Sequence, residues 1–184
     1  MKYMIGVDGG GTKTEAIAFD KDGNEFARAT SGFGNILIDF EQALFHIMDA
    51  IDQCQRGLLN GDCVCICLGL AGVSGANTNE LTLRLKKKYG TPIEVFNDAM
   101  IAHAAALKGK DGILTIGGTG AICIGKKGEV YQYSGGWGHI LGDEGSGYWI
   151  VLQGLKRMAN QFDQGVPLCP LSLRIQEEFQ LLTS

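Results

Sequence analysis

Three short apolar segments open the chain. Residues 4–7 form an apolar run that ends in an acid, Asp8. Residues 15–19 alternate apolar side chains with others, and residues 25–30 form a third segment of the same kind. A period of two marks strands. Gly9-Gly10-Gly11 separates the first pair and Asp22-Gly23 the second, so the three strands are expected as consecutive antiparallel hairpins. The spacing then lengthens. Phe40, Leu44, Ile47, Ile51 and Cys54 recur at helical intervals and predict a helix over 39–56, with Asp39 and Gln42 placed as a capping box. A buried strand is expected over 64–70, a helix over 79–89 that Gly90 stops, a strand over 92–96 and an alanine-rich helix over 99–107. Strand–helix–strand connections are crossovers between parallel neighbours. The fold class is therefore α/β, with a mixed five-stranded sheet over residues 1–109.

A polar, glycine-containing break at 108–112 ends that pattern, and the chain is divided there. From residue 110 the pattern restarts. Residues 113–116 are apolar, Gly117-Gly118-Thr119-Gly120 is a turn, 121–125 is apolar again, and Lys126-Lys127-Gly128 turns into a third strand over 129–133. Strand, glycine turn, strand, turn, strand thus occurs twice, and such an internal repeat suggests two lobes that address one ligand. A helix is expected over 148–161 with Ile150, Leu155 and Met158 facing inward. A last amphipathic helix is expected over 170–182, through Leu171, Leu173, Ile175, Phe179 and Leu182. Residues 110–184 are expected as the beginning of a second lobe. Without further strand–helix units over its sheet, the last helix keeps exposed apolar surface.

Three consecutive glycines bring no side chains to a core. They let the backbone approach another group closely, and successive bare amides form a nest for anionic oxygens. An acid beside a phosphate nest is repelled unless a divalent cation lies between them, and magnesium takes a carboxylate through water together with substrate phosphates. Residues 4–14 are therefore expected to hold a metal–nucleotide phosphate site. Neither familiar phosphate loop fits. Counting from Gly6 to Gly11 puts Thr12 where a P-loop has lysine, and Gly9 and Gly11 are followed by Thr14 where a dinucleotide fingerprint needs glycine.

Two further stretches carry chemistry. Asp98 stands where a strand ends and a helix begins, the place where open α/β sheets put their ligands. A carboxylate there can accept a proton from a hydroxyl, or it can simply cap the helix. Residues 135–147 pack Trp137, His139, Asp143 and Glu144 among glycines. Acids that hydrogen-bond vicinal hydroxyls beside an aromatic ring suit a sugar, while Asp143 as a helix cap is the plain alternative.

Composition narrows the classes. The net charge of -4 and pI of about 5.3 give no basic surface for nucleic acid. No signal peptide or spanning segment is evident, so a cytoplasmic protein without a membrane partner is expected. The six cysteines include Cys63, Cys65 and Cys67, whose alternation puts them on one face of a strand as core thiols. Cys54, Cys123 and Cys169 stand alone. His46 is expected as a packed or surface histidine.

Residues 4–14, Asn97-Asp98-Ala99, 117–120 and above all 135–149 resemble the N-acetylglucosamine kinases. These belong to the BadF/BadG/BcrA/BcrD ATPase family, within the superfamily of actin, sugar kinases and heat-shock chaperones. The resemblance implies an RNase H-like lobe followed by the start of another, with ATP and sugar in the cleft between them. It implies phosphate contacts from Gly9, Gly10, Gly11 and Thr12 and from Gly118, Thr119 and Gly120. It makes Asp8 the carboxylate that holds Mg2+ through water, and Asp98 the catalytic base. It gives sugar contacts to Asn35, Asp98, Thr119, Trp137, Gly138 and Asp143. The family usually has serine after the second loop's glycine, where this chain has Ala121.

The implied activity is ATP-dependent phosphorylation of an amino sugar of the N-acetylglucosamine or glucosamine type, at its 6-hydroxyl. The partner is then a small sugar, and a homodimer stays open. Two alternatives stand beside it. One is an ATPase of the kind that activates acyl-CoA reductases and dehydratases, whose subunits share an iron–sulfur cluster that alternating cysteines do not suit. The other is a non-catalytic sugar- or nucleotide-binding module, but repressors of related fold need an N-terminal DNA-binding segment for which the first strand leaves no room. Family members continue well beyond this length, so the 184 residues alone are expected to bind ATP weakly and turn over slowly or not at all.

Overall fold

β1 (Lys2–Gly9), β2 (Thr14–Phe19) and β3 (Glu25–Ser31) run as an antiparallel meander. After α1 (Phe40–Gln55) the chain adds β4 (Asp62–Leu70) parallel to β1. After α2 (Thr78–Tyr89) it adds β5 (Ile93–Asn97) parallel to β4, and α3 (Asp98–Leu107) follows at once. The sheet order is β3-β2-β1-β4-β5, five strands with a parallel half, as the crossovers required. This computed structural model describes residues 1–58, 61–73 and 78–180. They form two compact units, one from Met1 to Ala105 and one from Ala106 on.

In the first unit the alternation in β1 and β2 sorts the side chains between two faces. Tyr3, Ile5 and Val7 of β1 and Thr14, Ala16 and Ala18 of β2 are buried on one side. The apolar stripe of α1 covers them with Leu44, Ile47, Ile51 and Cys54, and α2 adds Leu81 and Leu85. Burying each of these large aliphatic side chains contributes roughly 1.5–3 kcal/mol. Asp39 caps α1 by accepting the Gln42 amide at 3.0 Å. His46 of α1 meets the Phe33 carbonyl through Nδ1 at 2.8 Å and packs edge-on to the Phe33 ring. It thereby fixes the loop before α1.

The cysteines depart from expectation. The β1–β4 register shifts between Tyr3 and Met4, which pair with Cys63 and Cys65. Val64 is the extra residue of a bulge. Cys63 therefore packs on the core face beside Tyr3, whereas Cys65 and Cys67 pair with Met4 and Gly6 and belong to the opposite face. All six thiols are free, but only Cys54 is fully buried.

The second unit holds β6 (Gly112–Gly117), β7 (Ala121–Lys127) and β8 (Val130–Gly135), an antiparallel meander like the first three strands. α4 (Gly138–Leu141), α5 (Gly147–Asp163) and α6 (Pro170–Glu178) follow. α4 was not expected, since a single turn is too short to show a period. Ile124 and Met158 are its buried large apolar residues among those described. Ile150 is 57% exposed and is not on an inner face; the buried side of α5 is formed by Gly154 and Met158. A Cβ at Gly154 would lie 2.8 Å from Ile175 Cδ1, so glycine is what lets α6 approach. Leu171, Leu173 and Phe179 of α6 remain about half exposed. The helix ends at Glu178 with Phe179 as its C-cap, short of the expected extension, whose last residues 181–182 lie outside the described residues.

Candidate active site

The C-terminal ends of the parallel strands bring the first group of residues together. Asp8 pairs with Gly69 and Gly9 with Leu70 across β1 and β4; Leu70 pairs in turn with Asn97 of β5. Asp98 follows as the first residue of α3. Burial pushes the Asp8 carboxyl above the usual carboxylate range, and the negative charges of Asp98 and then Glu15 push it further, with Lys13 opposing them. Glu15 is itself held below its usual range by Arg28, whose guanidinium donates to it at 2.6 Å. A buried carboxyl with a second negative charge nearby, at the ends of parallel strands, is a place where a cation relieves repulsion. No group of three or more potential metal ligands exists among the described residues. An ion here would take few carboxylate contacts and keep water and phosphate ligands, which suits Mg2+.

Asn97 occupies the position before α3, and its Oδ1 accepts the Ala99 amide at 2.9 Å. The Asp98 Oδ1 accepts the same amide at 2.8 Å. The two side chains thus share one amide at the start of the helix, and Asp98 makes a capping contact as well as standing at the strand end.

The first glycine loop closes with a bond from Gly10 N to Lys13 O, 2.9 Å, and leaves Gly11 and Thr12 exposed at its tip. Its glycines are present for different reasons. A Cβ at Gly9 would lie 2.5 Å from Leu70 Cδ2 and 3.4 Å from Gly34 Cα, so packing excludes a side chain. At Gly11 nothing lies within 4 Å, and Gly9, Gly10 and Gly11 all avoid left-handed backbone. The fold itself does not require glycine at 11. Gly34 N donates to Gly10 O at 2.8 Å, which ties residues 31–35 to this loop. Asn35 lies there and turns its Oδ1 onto the Leu37 amide at 3.0 Å. Beside Asp8 an open, largely apolar recess of about 320 Å³ is lined by Gly6, Ile17, Phe19, Cys67 and Ile101.

In the second unit Gly118 N donates to Gly120 O at 2.9 Å, with Thr119 exposed at the turn. Gly117 and Gly118 also have nothing within 4 Å of a built Cβ. Asp143 is 8% exposed and adopts left-handed backbone, φ 63°. Its Oδ1 accepts the Ala121 amide at 3.1 Å. It does not cap α5: Ser146, fully buried, does so by accepting the Trp149 amide at 3.1 Å. Trp137 is 75% exposed, Gly138 takes φ 80°, and the His139 and Tyr148 rings meet at a tilt of 58° with centroids 4.8 Å apart. Ser146 and Gly147 were given no role of their own from the sequence, and Asn97 only a place in the motif with Asp98. The Ser146 position, three residues before Trp149, is the one signal that could have found a cap.

The model of the BadF/BadG/BcrA/BcrD ATPase family matches residues 5–165. An N-acetylmuramic acid/N-acetylglucosamine kinase of Clostridium acetobutylicum is 35% identical over 170 residues, 89% of this chain and 56% of its own length. An N-acetyl-D-glucosamine kinase of Dictyostelium discoideum is 35% identical over 199 residues, 98% of this chain and 61% of its own. The chain thus spans about three-fifths of the curated relatives it matches. A solved protein of Chromobacterium violaceum, provisionally assigned as an N-acetylglucosamine kinase, superposes with a TM-score of 0.74 at 23% identity, over 96% of this chain and 64% of that one. That likeness shows the fold, the RNase H-like α/β architecture of the actin-like sugar kinases. The chain belongs to the BadF/BadG/BcrA/BcrD ATPase family.

Proposed function

We propose that this chain carries the phosphate loops and sugar-contacting residues of a kinase that transfers the γ-phosphoryl group of ATP to the 6-hydroxyl of an amino sugar. The observation that carries the reading is the gathering of Asp8 and Asp98 at the C-terminal ends of β1 and β5, beside a glycine loop whose tip the fold leaves free. The kinship with N-acetylglucosamine kinases supports the class of sugar.

Phosphoryl transfer needs positioning and charge neutralisation more than covalent chemistry. From the first unit, the backbone of Gly9, Gly10, Gly11 and Thr12 surrounds the β- and γ-phosphates. Asp8 is the residue that holds Mg2+, through water. When bound, that ion neutralises charge on the phosphate oxygens. Asp98 accepts the proton of the attacking hydroxyl, and Asn35 contacts the sugar ring. From the second unit, Gly118, Thr119 and Gly120 form the other phosphate loop, and Thr119, Trp137, Gly138 and Asp143 contact the sugar. The division into residues 1–109 and 110–184 belongs to the same proposal, as does residence in the cytoplasm. No described helix is long and apolar enough to cross a membrane.

The test is product identification. Incubation of the full-length protein with ATP, Mg2+ and N-acetylglucosamine, glucosamine or glucose should give a 6-phosphate with an amino sugar in preference to glucose. ADP release that does not depend on sugar would favour the alternative of an ATPase with a different partner.

A further inference from the structure

The loop that carries Trp137 and Gly138 is also the support of the second phosphate loop. Three bonds join them. Ala121 N donates to Asp143 Oδ1 at 3.1 Å, Gly136 N donates to Ala121 O at 2.8 Å, and Gly147 N donates to Gly118 O at 2.8 Å. The turn from Gly117 to Ala121 is thus held at both ends by residues 136–147. Asp143 is the buried member of this set, and a Cβ at Gly120 would stand 2.9 Å from its Oδ2. That contact explains why the last residue of the turn is glycine. The Asp143 backbone is itself left-handed, a conformation that strains a non-glycine residue. Its carbonyl accepts Ser146 N at 3.0 Å, so the strained turn runs directly into the cap of α5. A recess of about 160 Å³ beside it is lined by Thr115, Ala121, Cys123, Ser134 and Glu144.

Building on the kinase reading above, we propose that Asp143 is a positioning residue for the nucleotide. Its carboxylate fixes the Gly118–Ala121 turn, so that the sugar-side loop and the phosphate loop form one unit. Asp143 then affects nucleotide affinity even when no sugar is present, beyond any contact it makes with a sugar. Alanine in place of the family's serine at 121 leaves this clamp intact, because the clamp uses the backbone amide.

Three variants separate the possibilities. Asp143→Asn keeps an acceptor for the Ala121 amide. Asp143→Ala removes it. Asp143→Gly removes it while relieving the left-handed strain, so that backbone strain is separated from the lost carboxylate, and the melting temperature of each variant is checked alongside. Two readouts apply to each: binding of Mg·ADP in the absence of sugar, and hydrogen exchange of the Ala121 amide. The Gly and Ala variants are expected to lose about tenfold in nucleotide affinity and to lose Ala121 protection, with Asn restoring most of both. Wild-type nucleotide affinity or wild-type Ala121 protection in Asp143→Gly would overturn the proposal. Absence of nucleotide binding by the wild type would refute the kinase reading instead, with the exchange measurement still deciding whether the clamp exists.

Discussion

The charge of Asp98 reaches Asp8 across the ends of β5 and β1, and together with burial it holds the Asp8 carboxyl above its usual range. The folded state therefore binds a proton at Asp8 more tightly than the unfolded chain does. Any stability linked to that proton is fully present below the unfolded-state pKa and is lost as pH rises through the folded-state value. Asp8→Asn removes the ionisable group, so the variant should melt slightly higher than wild type at pH 7, and the difference should vanish near pH 3. It should also abolish the strengthening of nucleotide binding by Mg2+. A lower Tm at both pH values would show that Asp8 serves the fold.

Gly9 and Gly11 should respond differently to alanine. Gly9→Ala forces a methyl group into Leu70 and is expected to cost about 1–3 kcal/mol. Gly11→Ala meets no protein atom within 4 Å and should hold or raise stability by about 0.4–1 kcal/mol while weakening ATP binding. Denaturant unfolding and nucleotide titration of both variants check this. Full ATP affinity in Gly11→Ala would take the phosphate role away from the loop tip.

Thr14 is fully buried, and among the described residues its hydroxyl has no hydrogen-bond partner. Thr14→Val keeps the shape and removes the orphan, so it should be neutral or stabilise by about 1 kcal/mol. A clear loss in urea unfolding would reveal a bond that the structure does not show.

Trp137 is largely exposed and contributes little to folding. Trp137→Ala should change stability by less than about 0.5 kcal/mol and raise the sugar KM more than the ATP KM. Unchanged sugar binding by calorimetry would remove Trp137 from the sugar site.

Much of this was legible in the chain. Glycine turns between short alternating segments announced both meanders, because hairpin geometry leaves a local trace. The mixed sheet followed from two helical crossovers. The faces of β4 were not legible: alternation put Cys63, Cys65 and Cys67 together, but one bulged residue, Val64, sends Cys63 to the other side. Ile150 has helical spacing to Leu155 and Met158, yet periodicity cannot say whether a partner covers it, and in this chain none of the described residues buries it. The roles of Asp98 and Asp143 stayed ambiguous because any acid before a helix can cap it. Coordinates resolve only the second: Ser146 caps α5 and Asp143 bonds an amide 22 residues away, a pairing no local pattern records, whereas Asp98 shares the Ala99 amide with Asn97.

The central claim is that Asp98 accepts the proton of an amino-sugar hydroxyl. It is tested most directly by the rate of sugar-dependent ADP release in the full-length protein, wild type beside Asp98→Asn, with N-acetylglucosamine and glucosamine as acceptors. The account predicts a loss of roughly a hundredfold or more in turnover, with ATP and sugar affinities nearly unchanged. Turnover close to wild type in Asp98→Asn would contradict it.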